Sequence, residues 1–232
     1  MHRIVLMTAK TRPIKRFRLK PNKFRLLERC FASECSSSQT SKIILVNRKT
    51  SDRYFNFFRA LIINQAIAER AEIDIKDGIE IDESYFGPTR QRGKKGRGAY
   101  NKILVLGLRK RNSKVFTEVI PDATKREIMP IILKVVKSGS DIYTDGWRSY
   151  DALAVYGYNH KKVKHEGNEF VTGENHINGI ESFWSYTKRR LAKFNGVKKE
   201  HFTQHLLESE WRFNHRNTTL KDLRNLIKLY KV

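Results

Sequence analysis

Acidic residues are scarce in this sequence. Across 232 residues, 24 Asp and Glu stand against 47 Lys and Arg, for a formal net charge of +23. Such an excess suits a protein that neutralises a polyanion, of which nucleic acid is the commonest. Long apolar runs are lacking as well: nothing approaches the roughly 18 apolar residues that a spanning helix needs. That sets aside a membrane-embedded protein, although a membrane surface would attract the same charge. Cysteine is nearly absent. Cys30 and Cys35 have no CxxC partner pair, which argues against a disulfide scaffold or a zinc site and suits a reducing, cytoplasmic setting. The opening "MHRIVLMTAKTRPIKRFRLK" is too basic, and too poor in apolar residues, for a secretory signal. No internal repeat is present, and the only low-complexity tract is the serine run at 36–38.

What is present suffices for a core. Hydrophobic residues make up 39% and aromatics 11%, enough for one sizeable domain and a small one. The first sixty positions hold fifteen Lys or Arg against Glu28, Glu34 and Asp52. Here "PNKFRLLERCFASE" predicts a helix with Leu26, Leu27, Cys30 and Phe31 inward, and "QTSKIILV" a short second helix. A long third helix starts after Asn47, a good N-cap, with Arg48, Lys49, Thr50, Asp52 and Arg53 in its first two turns. A short helix, a tight turn and a helix with basic, polar N-terminal turns make a helix-turn-helix, whose second helix can enter a major groove. The alternative is a plain helical bundle with a charged surface. Tyr54, Phe55, Phe57, Phe58, Leu61 and Ile62 are assigned to this region's core. The expected division is a helix-turn-helix region over 1–70 and a second domain over 71–232.

From residue 78 the pattern changes to strands: "GIEIDESYFG", "NKILVLGLRKR" and "SKVFTEVIP". A helix over "TKREIMPIILKVVKSG", a strand over "DIYTDGWRSY", a helix over "RSYDALAVYGY" and a short strand over "NHKKVKH" follow. A polar loop at 166–175 then leads to three helices, at 176–194, 200–214 and 220–230. Three consecutive strands, then helix, strand, helix, strand, helix describe a mixed α/β sheet with helices on its faces, an order that fits a ribonuclease-H-like domain. Trp147 and Trp184 are assigned to core packing, as are Ile79, Ile81 and Tyr85.

Three acids stand out. Asp82 lies inside the first strand, and Asp145 ends the strand after the first long helix. If those strands are neighbours, both carboxylates reach the same end of the sheet, where sites in open α/β sheets collect. Alternation leaves the side of Asp82 open, and Glu83 competes with it. The helix "HINGIESFWSYTKRRLAKF" brings Ile180, Phe183, Trp184, Thr187 and Leu191 to one face, and Asn178, Glu181 and Lys188 to another. Alone, that second stripe is a solvated face. With Asp82 and Asp145 it completes a trio of carboxylates that are costly together unless a cation holds them. Hard oxygen ligands suit Mg²⁺ or Mn²⁺, and two such ions about 4 Å apart serve phosphodiester chemistry. Lys188, roughly 10 Å along the helix from Glu181, could grip a DNA phosphate, with Arg189 and Arg190 extending the strip. The glycine-rich stretch at 87–102, with Arg92, Lys94, Lys95 and Arg97, suits either a phosphate track or a solvated loop.

Four blocks, "IEIDESYFG", "IYTDGWRSYDAL", "HINGIESFWSYTKRRL" and "HFTQHLLESEWRFNHR", together resemble the DDE-type transposases of bacterial insertion sequences. The closest match is the subgroup whose signature is two Asp, then Asn or Glu, then Lys. The likeness covers residues 80–216. It implies a ribonuclease-H-like core related to retroviral integrases, with Asp82, Asp145 and Glu181 as metal ligands and Lys188 as the DNA-contacting base. In this subgroup the third ligand is also written as the Asn, here Asn178; both residues can face the metals, and the full charge of Glu181 holds a divalent ion better. Many relatives carry an N-terminal cysteine-rich zinc module and this sequence shows none, so recognition of element ends is expected to rest on the helix-turn-helix. The resemblance further implies a bacterial, DNA-associated protein acting as a homodimer or larger assembly on double-stranded DNA. It would free 3′-hydroxyl ends that attack target DNA without a covalent enzyme intermediate. The rivals are a DNA-binding repressor that has lost catalysis and a structure-selective nuclease that cuts but never joins.

Overall fold

The computed structural model describes residues 19–71, 75–76, 78–87, 102–111, 113–145, 147–163, 177–194 and 196–229. It divides into two compact units, residues 68–214 and residues 1–67 with 215–232.

The second of these is helical. α1 (Pro21–Ala32) opens on a proline, whose missing N–H is no loss in a first turn. α2 (Ser37–Ile44) begins with a capping box: the Ser36 hydroxyl accepts from the Gln39 N–H, and the Gln39 side chain accepts from the Ser36 N–H. Leu45, in the left-handed region at φ 54°, turns the chain. α3 (Arg48–Ala71) then starts with the Asn47 side chain accepting from the Lys49 N–H at 2.8 Å, the expected cap. Asp52 ties the two helices together, accepting from the Ser37 hydroxyl and pairing with Arg48 at 3.7 Å. Tyr54, Phe55, Phe58, Leu61 and Ile62 are buried as expected, with Phe31 packed edge-on against Phe55 and Phe58. Leu26 departs from expectation at 43% exposed; Leu27, Cys30 and Phe31 supply the inward face of α1. The last helix, α7 (Thr219–Leu229), belongs to this unit and not to the one that follows 70 in sequence. Its Leu223, Leu226 and Ile227 are buried, and Arg224 reaches Glu28 of α1 at 3.0 Å.

The other unit is a mixed α/β layer structure. β1 (Ile79–Phe86), β2 (Ile103–Lys110), β3 (Val115–Ile120), β4 (Asp141–Thr144) and β5 (Asn159–Lys162) form a five-stranded sheet in the order β3-β2-β1-β4-β5. β1, β2 and β3 are antiparallel in sequence, whereas β4 runs parallel to β1 and β5 parallel to β4. β2 buries Leu104, Val105, Leu106 and Leu108 without alternation, because helices cover both sides of the sheet. On one side Ile79, Ile81, Leu106 and Ile142 meet Ile128, Met129 and Ile132 of α4 (Lys125–Val135). On the other, Phe86, Val105 and Tyr143 meet Ile180, Phe183 and Trp184 of α5 (Asn178–Ala192) and Phe202, Leu206 and Phe213 of α6 (Lys199–Asn214).

Three expectations change here. The helix expected over "RSYDALAVYGY" is instead two short 3₁₀ turns, Arg148–Tyr150 and Leu153–Tyr156. Tyr150, at the end of the first turn, and Leu153, at the start of the second, are both fully buried. Tyr85 is 46% exposed, at the next-to-last residue of β1, and Trp147 is 54% exposed just beyond β4, so neither is core. Among the described residues no helix is long and apolar enough to cross a membrane. The stretch holding Arg92, Lys94, Lys95 and Arg97, and the loop at 166–175, lie outside the described residues.

Candidate active site

β1 carries the first of the three acids, Asp82. Ile79 and Ile81 face α4, so alternation turns Glu80, Asp82, Ser84 and Phe86 toward α5. The parallel register pairs Ile79 with Ile142 and Glu80 with Tyr143. Continued two residues, it sets Asp145 beside Asp82 on the neighbouring strand. Tyr143 belongs to the α5 side and Ile142 to the α4 side, so Asp145, two residues beyond Tyr143, follows the α5 side. There its Oδ1 accepts from the Trp147 N–H at 3.3 Å.

α5 supplies the third acid and a direct link to the first. Trp184 Nε1 donates to Asp82 Oδ2 at 2.9 Å, and Glu181 stands one turn earlier on the same helix. The indole reaches that far because Gly107 lies opposite Asp82 on β2. A Cβ at 107 would sit 2.5 Å from Trp184 Cζ2 and 2.8 Å from Ile180 Cδ1. Gly107→Ala is therefore expected to force the indole off Asp82 and to lower stability by about 1–3 kcal/mol through overpacking. Urea denaturation followed by tryptophan fluorescence checks this; an unchanged midpoint would show that the ring gives way freely.

Burial pushes the Asp82 carboxyl up to about 6, with Asp145 and Glu181 adding to the push and the Trp184 hydrogen bond opposing it. Glu83 points the other way. Its Oε1 accepts from the Tyr150 hydroxyl at 2.6 Å, and burial, opposed by that bond and reinforced by Asp82 and Asp145, raises its carboxyl to about 7. Of the two candidates on β1, then, only Asp82 faces α5. Asp145 is half-buried and Glu181 exposed.

Among the described residues no three His, Cys, Asp or Glu side chains lie close enough to hold an ion between them as they stand. The donor set nevertheless fits a hard divalent cation: carboxylate oxygens from β1, from the residue just past β4 and from the covering helix, with Asp145 and Glu181 both felt by Asp82 as unfavourable like charge.

The other expected residues are distributed as follows. Asn178 is the exposed first residue of α5, one turn before Glu181. Lys188 and Arg189 are exposed further along it, and Lys188 Nζ lies over the Phe86 ring at 5.8 Å, at the end of β1. Arg190 leaves the basic strip: it is buried, 2.6 Å from Glu208. In the helical unit, Arg48, Lys49 and Arg53 are exposed and Thr50 half-buried, on the first turns of α3. Sequence reasoning missed Trp184 as a partner of Asp82. Gly107 was the available signal, since a glycine inside an apolar strand often marks a close approach.

Residues 74–214 match the ISXO2-like transposase domain. A transposase-like protein of Haemophilus influenzae is 44% identical over 115 residues, covering 50% of this chain and 91% of that protein. A protein in the transposable element ISH50 of Halobacterium salinarum is 33% identical over 145 residues, or 55% of this chain and 49% of its own length. The matched stretch takes in the whole sheet and both helices on the acid-bearing face, more than half of the sequence. On that ground the chain belongs to the ISXO2-like transposase domain family, a family of insertion-sequence transposases.

Proposed function

We propose that the chain binds the terminal inverted repeats of its own insertion sequence, cleaves DNA there and joins the freed ends to a target. The observation that carries this reading is the convergence of Asp82, Asp145 and the Glu181-bearing helix on one face of the sheet. The strand order, three antiparallel strands continued by two parallel ones, supports a ribonuclease-H-like core, and the helical unit supports a helix-turn-helix. Asp82, Asp145 and Glu181 would hold Mg²⁺ or Mn²⁺, with Asn178 within a turn of Glu181 as a further oxygen donor. The bound cation would supply Lewis-acid polarisation of the scissile phosphate.

The protein's own groups have separate tasks. Trp184 keeps Asp82 oriented toward α5 by donating to its Oδ2. Lys188, stationed over Phe86, offers an ammonium to a phosphate further along the strand; Arg189 adds a second cation on the same helix. Lys49, Thr50, Arg48 and Arg53 would meet the groove and backbone of the repeat. Two ends joined in one event call for at least two copies of the chain on DNA.

The test is a cutting and joining assay with the full chain, labelled DNA bearing the element's ends, and Mg²⁺. End-specific nicks with 3′-hydroxyls and strand-transfer products are expected, and chelation with EDTA should remove both. Cutting that ignores the ends would instead mark a nuclease, and binding with no metal-dependent cutting a repressor.

A further inference from the structure

We infer that Glu80 is a positioning residue: its buried carboxylate docks the first turn of α5 onto β1 and thereby sets where Glu181 stands relative to Asp82. The inference deepens the proposed metal-site reading and rests on it for its functional meaning.

A carboxylate that is 1% exposed on a central strand needs partners. Glu80 Oε2 accepts from the Ile180 N–H at 2.7 Å. Ile180 is the third residue of α5, and its amide is one of the four at a helix start with no partner inside the helix. α5 cannot cap itself. Its N-cap residue is Ile177, which has no polar side chain, and no side-chain cap bond forms. The missing cap comes from the strand below, and a carboxylate at that end also suits the helix dipole.

Both neighbouring strands brace Glu80. Arg109, directly opposite on β2, places Nη1 3.3 Å from Oε2. Arg111 Nε lies 3.7 Å from Oε1, with its guanidinium 3.7 Å above the ring of Tyr143, the partner of Glu80 on β4. Gly179 allows the close approach: a Cβ there would overlap Arg109 Nη1 and sit 2.5 Å from Glu80 Oε2.

The helix is thus pinned at two points, Ile180 on Glu80 and Trp184 on Asp82. The spacings agree. Two residues along a strand cover about 6.6 Å, and four along a helix about 6 Å. Glu181 lies between the pins, so neither its rotation about the helix axis nor its height over the strand is free.

Two variants and one measurement on the wild-type chain test this. Glu80→Gln keeps an acceptor but removes the charge, and Arg109→Lys keeps a charge with a shorter, unforked reach. In each, Mn²⁺ binding by the folded protein, read by electron paramagnetic resonance, is expected to weaken roughly tenfold, as for other residues that orient ligands. The Mn²⁺ concentration for half-maximal cutting should rise by a similar factor, while the rate at saturating Mn²⁺ returns toward wild type. A purely structural role would lower the melting temperature and leave the affinity of the folded protein unchanged; that result in both variants overturns the inference. In the wild-type chain, the Ile180 amide should exchange with solvent roughly tenfold to a hundredfold more slowly than an unbonded first-turn amide. Exchange at the unbonded rate overturns the docking contact itself, whether or not either variant folds. Failure of the wild-type protein to bind Mn²⁺ would instead remove the metal-site reading and leave that exchange rate to decide the docking contact.

Discussion

Asp145→Asn is expected to reduce end cutting by on the order of a thousandfold, with DNA affinity in a gel-shift assay nearly unchanged. Asp145 follows the last residue of β4, two residues past the Glu80–Tyr143 pair of the parallel register, and its charge is felt by Asp82. An amide keeps the shape, and one oxygen can still accept from the Trp147 N–H. What it removes is a negative charge that the proposed divalent ion would require. A metal acting on a phosphoryl oxygen supplies several kcal/mol, and about 4 kcal/mol corresponds to a thousandfold in rate. The basic residues of α3 belong to the other unit, so binding should survive. Full cutting by Asp145→Asn at saturating Mg²⁺ would remove the acid site from the mechanism.

The largest expected loss of stability comes from a residue far from that chemistry in sequence. Glu208 on α6 is 1% exposed and accepts from two arginines, Arg190 Nη2 at 2.6 Å and Arg212 Nε at 3.0 Å. Glu208→Ala would take the shared carboxylate from two buried guanidinium groups whose side chains are 4% and 3% exposed, leaving Arg190 its bond to the Ser209 hydroxyl. Removing one side of a buried ionic cluster costs about 3–5 kcal/mol, whereas replacing every member by apolar residues of similar volume is often neutral. Urea denaturation followed by near-ultraviolet circular dichroism should show the large drop for Glu208→Ala. The triple variant combining Glu208→Leu, Arg190→Met and Arg212→Met should recover most of it. A midpoint for Glu208→Ala within experimental error of wild type would mean that water reaches the cluster and screens it.

The acid-bearing elements were legible because their signals are local. A carboxylate inside an apolar strand, another at a strand end before glycine, and a polar stripe on an amphipathic helix each show within a dozen residues. Asn47 was legible for the same reason, since a cap acts on amides next to it. What was not legible depends on register. Glu80 has no meaning until β2 places Arg109 opposite and α5 lays Ile180 over it, and a slip of one residue would turn it to the other face. Trp147 and Trp184 show the same limit. Both are apolar by type, yet one is 54% exposed and the other 5%, with its indole nitrogen on a candidate ligand. The partner of α7 was equally hidden, because an amphipathic face says that something covers it and not what.

The placement of α7 bears on synthesis order. The ribosome delivers the entire sheet and its covering helices before it delivers Leu223, Leu226 and Ile227, which belong to the same unit as the first three helices. A nascent chain can therefore finish its sheet-bearing unit while its helical unit still lacks a wall. Cutting a gene fragment at residue 70 leaves that wall missing for good.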